Sequence, residues 1–154
     1  MDKPQLLRNA ILNPDDVDAS KRLRPVDETA LQSLMASIDE LGVMLDEIHV
    51  REVKEGRKKK LVLMAGGHRL EACRRSRVPV SAKVWRCGDE WAQLLEIDDN
   101  LASADLTALD TMIFLTERQK IYEKLHPETA RGHAGAKTRW NPTDTVSVAF
   151  STRA

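Results

Sequence analysis

The chain reads as an α/β domain, a small mixed sheet with flanking helices, followed by a helical segment. Three observations predict this class. Residues 61–65, Leu-Val-Leu-Met-Ala, form an apolar strand that runs through Gly66 and Gly67 straight into a charged helix start. Upstream, Leu31, Leu34, Ile38 and Leu41 recur at three- and four-residue spacing, the period of a helix with one buried face. Further apolar runs at residues 43–53 and 78–84 supply more strands. At 154 residues and 42% hydrophobic, the chain can bury one core and a small appendage.

Taken in order, residues 1–27 carry Pro4, Pro14 and Pro25, which predicts mostly extended chain with a short strand around Ile11 and Leu12. Asp27, or the region of Pro25, caps the leucine-striped helix and Gly42 stops it. Residues 43–53 and 60–65 are strands joined by the turn-rich Lys54-Glu55-Gly56-Arg57, a hairpin pattern, with His49 facing solvent. Asp89 and Glu90 open another helix, their charge favoured in a first turn, with Trp91, Leu94 and Leu95 as its buried stripe. Trp85 and Trp91 are packing residues rather than base-stacking platforms. From Thr107 a long helix carries Leu109, Met112, Ile113, Leu115, Tyr122 and Leu125 and ends near His126, because proline at 127 disfavours helix in the residue before it. Residues 129–142 are basic, small and proline-punctuated without apolar periodicity, a linker pattern. Residues 146–154 begin what reads as another ordered element, too short to bury a core of its own.

Lys plus Arg and Asp plus Glu both number 24, so bulk charge carries no nucleic-acid signature. Local clustering does. Arg51, Lys54, Arg57, Lys58, Lys59 and Lys60 surround the hairpin, and Arg69, Arg74, Arg75 and Arg77 crowd the helix after the glycines. Lys58, Lys59, Lys60, Arg74 and Arg75 are the candidate contacts to DNA phosphates, with a solvated basic hairpin as the alternative for the lysines. Cys73 and Cys87 lack metal-ligand spacing and read as the thiols of a cytosolic protein. No apolar run approaches the roughly 18 residues of a membrane span, and the N-terminus is not a signal peptide, so a soluble cytoplasmic protein with no membrane partner is expected.

Chemistry concentrates at Gly66-Gly67-His68-Arg69. Two glycines let backbone N–H groups approach an anion, and the helix N-terminus adds roughly half a positive charge. His68 and Arg69 supply side-chain donors at the same spot, and arginine grips phosphate in bidentate fashion. A strand-to-helix turn in which the glycines only relieve strain is the alternative.

The order of blocks around this loop resembles the N-terminal domain of the ParB family, the partition proteins that share a fold with sulfiredoxin. In that family an arginine-proline segment leads into a helix ending "SI…GV", then a strand, a hairpin, a "GERR.RA" phosphate loop, a "VPV" strand and an "EN..R.DL" box. Here the blocks are Arg22-Leu23-Arg24-Pro25, the helix with Ser37-Ile38 and Gly42-Val43, the strand through Ile48-His49-Val50-Arg51, the Gly66 loop, Val78-Pro79-Val80, and Asp99-Asn100 with Asp105-Leu106. The resemblance covers residues 10 to about 110. It implies a nucleotide-binding domain over residues 1–106 and a helix at 107–127 packing on it or extending from it. Residues 128–154 are then a basic linker and the start of a truncated helix-turn-helix domain. Implied ligands are a nucleoside triphosphate, CTP or ATP, with Mg²⁺. Phosphate-binding residues would be Arg22, Arg24, Gly66, Gly67, His68, Arg69 and Asn100, with Asp99 and Asn100 toward the metal. The implied setting is a DNA-binding partition or regulatory protein of plasmid, phage or chromosomal type. DNA would be read mainly by a region this chain lacks, hydrolysis would be slow if present, and a homodimer is one arrangement left open.

Departures from the family pattern leave rivals open. Gly67 and His68 stand for Glu and the first Arg of "GERR", and Ser103 replaces the Arg of "EN..R.DL", which weakens CTP specificity and hydrolysis as inferences. Sulfiredoxin carries "GGCHR", but Gly67 occupies the place of its catalytic cysteine and has no side chain for that chemistry. A free-serine kinase of the same fold carries "DGHHR", and Gly67-His68-Arg69 keeps that alternative, with Glu28, Asp39 or Asp46 as candidate bases. A nucleotide-free protein or DNA adaptor is a third reading, and nuclease activity an analogy only.

Overall fold

The computed structural model describes residues 3–22, 24–102 and 106–129. Ser103, Asp105 and the linker and helix-turn-helix start expected beyond residue 129 lie outside these residues. Among them, five strands form one mixed sheet in the order β1-β5-β3-β4-β2. The strands are β1 (Gln5–Leu12), β2 (Val17–Asp18), β3 (Ile48–Glu55), β4 (Lys58–Ala65) and β5 (Val80–Arg86). The helices are α1 (Glu28–Leu41), α2 (Gly67–Ser76), α3 (Asp89–Leu101) and α4 (Ala108–Leu125). β5 runs antiparallel to β1 and parallel to β3, β3 antiparallel to β4, and β2 parallel to β4.

Local chemistry explains the boundaries. The Asp27 carboxylate accepts from the Thr29 N–H and caps α1, while Gly42 at φ 73° ends it in the left-handed region open to glycine. Residues Gly56 and Arg57 alone turn β3 into β4, with Gly56 at φ 64°. Thr107 and Asp110 bond reciprocally across the first turn of α4 as a capping box.

The core follows strand alternation. Ile48 and Val50 of β3, Leu63 of β4, and Val80, Ala82 and Val84 of β5 are buried with Leu31 and Ile38 of α1 and Leu70, Ala72 and Cys73 of α2. A second cluster joins Leu94 and Ile97 of α3 to Phe114 and Ile121 of α4, with Trp91 and Leu125 against it.

Several expectations are corrected. The first strand is eight residues long rather than a short piece around Ile11, because β1 pairs along nearly the whole of β5. β3 begins at Ile48 rather than at Val43. The buried stripe of α3 is Ala92, Leu94 and Ile97, with Trp91 and Leu95 half-buried. The long helix is α4, whose burial the sequence left open: Phe114 and Ile121 are buried, while Leu109, Met112, Ile113, Leu115 and Tyr122 are exposed. Among the described residues its buried stripe packs on α3. His49 is half-buried rather than solvent-facing: it stacks on Trp85, and its Nδ1 accepts from the Trp85 Nε1–H at 3.0 Å.

Candidate functional site

β4 ends at Ala65 and α2 begins at Gly67, leaving Gly66 as the whole connection. Gly66 sits at φ 95° and packs so tightly on β3 that a Cβ there would lie 2.8 Å from Ile48 Cγ2. No side chain caps α2, so its first N–H groups face outward from a loop that only glycine can make.

This loop forms one wall of a cavity of about 320 Å³. Arg22 and Arg24 line it from the segment before α1, Gly66, Gly67, His68 and Arg69 from the loop, and Glu96, Asp99 and Asn100 from α3. Every residue expected around the nucleotide and metal thus lines a single space, although the three segments are far apart in sequence. Glu96 is the charged lining residue that the sequence did not single out. Its signal was its position one helical turn before Asp99 and Asn100, on the same face of α3.

The side chains are held. His68 Nε2 accepts from the Asp27 N–H at 2.9 Å, so the proton of the neutral ring is on Nδ1, which is the donor left for an anion. Burial, then the charges of Arg22 and Arg24, lower the His68 pKa and keep the ring neutral. Arg69 donates through Nη1 to the Glu47 carbonyl and lies 4.0 Å from Asp99 through Nη2. Burial is the leading cause that lowers the Arg22 pKa, opposed by the carboxylates of Glu71 and Glu96. Three arginines and a histidine with a free N–H suit an anion of several charges.

Among the described residues, no three His, Cys, Asp or Glu side chains gather as a self-sufficient metal site. Mg²⁺ usually binds one or two carboxylates while keeping waters and phosphate oxygens as its remaining ligands. Asp99 beside Asn100 fits an ion that arrives with a polyphosphate.

The candidate DNA contacts fall elsewhere, and Lys59, Lys60, Arg74 and Arg75 are paired within the protein. Lys59 pairs with Glu52 at 2.9 Å, and Lys60 with Asp18 at 2.8 Å. Lys58 is exposed at the start of β4. Arg74 reaches the carbonyls of Pro14 and Val17 and the carboxylates of Asp15 and Glu71. Arg75 forks onto Glu28 with two bonds of 3.0 Å and bonds Glu71 as well. The arginine cluster therefore ties α2 to the N-terminal segment and to α1, a role invisible in a list of basic residues. Of the bases proposed for a kinase, Glu28 is held by Arg75, and neither Asp39 nor Asp46 lines the cavity.

Cys73 is buried and Cys87 half-buried, both as free thiols, with the Cys87 Sγ 3.7 Å from Met64 Sδ. No helix among the described residues is long and apolar enough to cross a membrane.

Two solved structures of C-terminally truncated chromosome-partitioning protein ParB from Caulobacter crescentus are similar to the chain. The one complexed to the centromeric parS site is 21% identical, with TM-score 0.60 over 76% of this chain and 59% of that one. The one complexed with CTP-gamma-S is 24% identical, with TM-score 0.54 over 75% of this chain and 65% of that one. A Pnob8-like ParB-N domain is 12% identical, with TM-score 0.60 over 83% of this chain and 53% of that one. The chain thus spans less than two thirds of each of these proteins, and at these identities the likeness is one of fold. No curated protein matches the sequence. Residues 5–101 match the ParB N-terminal domain family, and the chain belongs to that family.

Proposed function

We propose that this domain binds a nucleoside triphosphate, CTP or ATP, together with Mg²⁺ in the cavity at the Gly66 loop, as part of a DNA-binding partition or regulatory protein. The observation that carries the proposal is the convergence of Arg22, Arg24, His68, Arg69, Asp99 and Asn100 on one cavity around an uncapped helix N-terminus. The similarity to a ParB structure complexed with CTP-gamma-S supports the ligand class, and that to a ParB on its parS site supports the DNA setting.

In this reading the N–H groups of the first turn of α2 meet one phosphate, and the His68 Nδ1–H meets a neighbouring oxygen. Arg69 is oriented by the Glu47 carbonyl, so its guanidinium is fixed before the ligand arrives. Arg22 and Arg24 add charge from the segment before α1. Mg²⁺ would be held by Asp99 and Asn100, where it would offset phosphate charge. Any hydrolysis is expected to be slow. DNA affinity within this chain would be weak and sequence-blind, through the exposed hairpin lysines, with a reader outside it supplying specificity.

The test is equilibrium binding of CTP, ATP, GTP and UTP, each with Mg²⁺ and with chelator. Saturable binding of CTP or ATP that strengthens with Mg²⁺ supports the proposal; no binding of any of the four overturns it.

A further inference from the structure

Gly67 stands where the family loop carries glutamate, and its position at the first turn of α2 does not demand glycine for the backbone, because its φ is not in the left-handed region. What occupies the space of the missing side chain is Arg22. A Cβ built on Gly67 would lie 1.6 Å from Arg22 Nη2, 2.5 Å from Cζ and 2.9 Å from Nε, so the Nε–Nη2 edge of the guanidinium abuts the glycine. Described residues before and after Arg22 are bonded to the rest of the domain. Before it, the Asp18 carboxylate accepts from the Ser20 N–H at 2.9 Å and from Lys60 at 2.8 Å. After it, the Asp27 N–H donates to His68 in the loop itself.

Arg22 also lines a second cavity of about 510 Å³ beside the first, whose walls include Lys21, the Arg51–Asp89 ion pair and the carboxylates of Glu96 and Glu117. Two places are therefore open to the guanidinium: the seat on Gly67 at the anion loop, and the space next door. A side chain at position 67 removes the first and leaves the second, where Glu96 and Glu117 attract a cation.

We infer that Gly67 is a positioning residue that acts through Arg22, its bare backbone being the seat that holds the Arg22 guanidinium over the anion cradle. The cradle's second arginine is thus supplied from a distant segment rather than from the loop itself. This rests on the anion-binding reading of the cavity, and it makes positions 22 and 67 one unit.

The experiment is calorimetric titration of the full chain with inorganic tripolyphosphate and with CTP and ATP, alongside thermal melts. Gly67→Ala should weaken binding by about tenfold to a hundredfold, the range for losing a hydrogen bond to a charged group. It should not lower Tm, because alanine suits a helix better than glycine and only a flexible side chain must move. Arg22→Ala should weaken binding to the same degree, and the double variant no further. Wild-type affinity in Gly67→Ala, or losses that multiply in the double variant, would overturn the inference while leaving the cavity reading intact. Binding of tripolyphosphate but of neither nucleotide, with the same coupling, would support the seat and overturn the nucleotide reading. No binding of any probe by the wild-type chain would overturn both.

Discussion

The backbone N–H of Asp27 donates to Nε2 of His68 across 2.9 Å, so the residue that caps α1 is bonded to the second residue of α2. One hydrogen bond thereby ties the start of one helix to the loop proposed to hold phosphate. It also dictates the tautomer of His68 and leaves Nδ1–H as its remaining donor.

Burial of His68, with the charges of Arg22 and Arg24 beside it, makes stability depend on pH. The folded-state pKa of His68 lies below the ordinary 6.5, so below that value the unfolded chain takes up a proton that the folded chain resists. The contribution is fully present above pH 6.5 and is lost as pH falls toward the folded pKa. His49 is shifted the same way, chiefly by burial, and adds to the slope. His68→Gln should flatten the fall in Tm between pH 7.5 and 5.5 relative to wild type, with His49 supplying the remainder. Identical slopes would show that His68 does not titrate as the geometry requires.

Gly66 is irreplaceable for two independent reasons, its φ of 95° and the Ile48 methyl 2.8 Å from where a Cβ would stand. Gly66→Val should cost about 3 kcal/mol or more of stability, combining left-handed backbone strain with overpacking. Urea denaturation measures this. A loss under about 1 kcal/mol would mean the loop relaxes freely and is not a rigid anion seat.

Arg69→Ala should weaken nucleotide binding by about 1.5 to 3 kcal/mol, the value of a charge-assisted hydrogen bond. It should also lower stability by about 1 kcal/mol, because the bond to the Glu47 carbonyl goes with it. Arg69→Lys should keep charge but lose the fork. Calorimetry of both variants separates the two contributions, and unchanged affinity in Arg69→Ala would remove this residue from the site.

Asp99→Asn should reduce binding measured with Mg²⁺ more than binding measured in chelator, since a carboxylate beside Asn100 acts on the ligand through the ion. Its 4.0 Å approach to Arg69 gives the opposite possibility a clear signature. Equal losses in both conditions would identify Asp99 as an orienting partner of Arg69 and leave the metal to other groups.

Arg75→Ala should destabilise the fold with little effect on duplex affinity, because its guanidinium already holds Glu28 and Glu71. Lys58→Glu should do the reverse, weakening the salt-dependent binding of two unrelated duplexes about equally while leaving Tm unchanged. A change in sequence preference would instead mean that this chain reads base edges.

These contrasts show what a linear sequence carries. The Gly66 loop was legible because a strand running straight into a helix through glycine is a backbone requirement, visible wherever it occurs. That Arg22 and Asp99 line one cavity was not legible from spacing, since they lie on segments brought together only in three dimensions; the family resemblance supplied it. Arg74 and Arg75 read as a basic patch because a cation list does not show which carboxylates another segment delivers. Likewise, the apolar residues of α4 announce a helix but not which of them are covered, and Leu109 and Met112 are exposed. His49 was misjudged because its partner, Trp85, sits on a strand joined only in three dimensions.

The most direct measurement of the central claim is amide chemical-shift mapping of the 17.3 kDa chain on addition of CTP or ATP with Mg²⁺. Saturable shifts are expected to concentrate at Gly66, Gly67, His68 and Arg69, with Asp99 and Asn100 joining when Mg²⁺ is present. Shifts confined to the Lys58 to Lys60 hairpin, or none at saturating nucleotide, would contradict it.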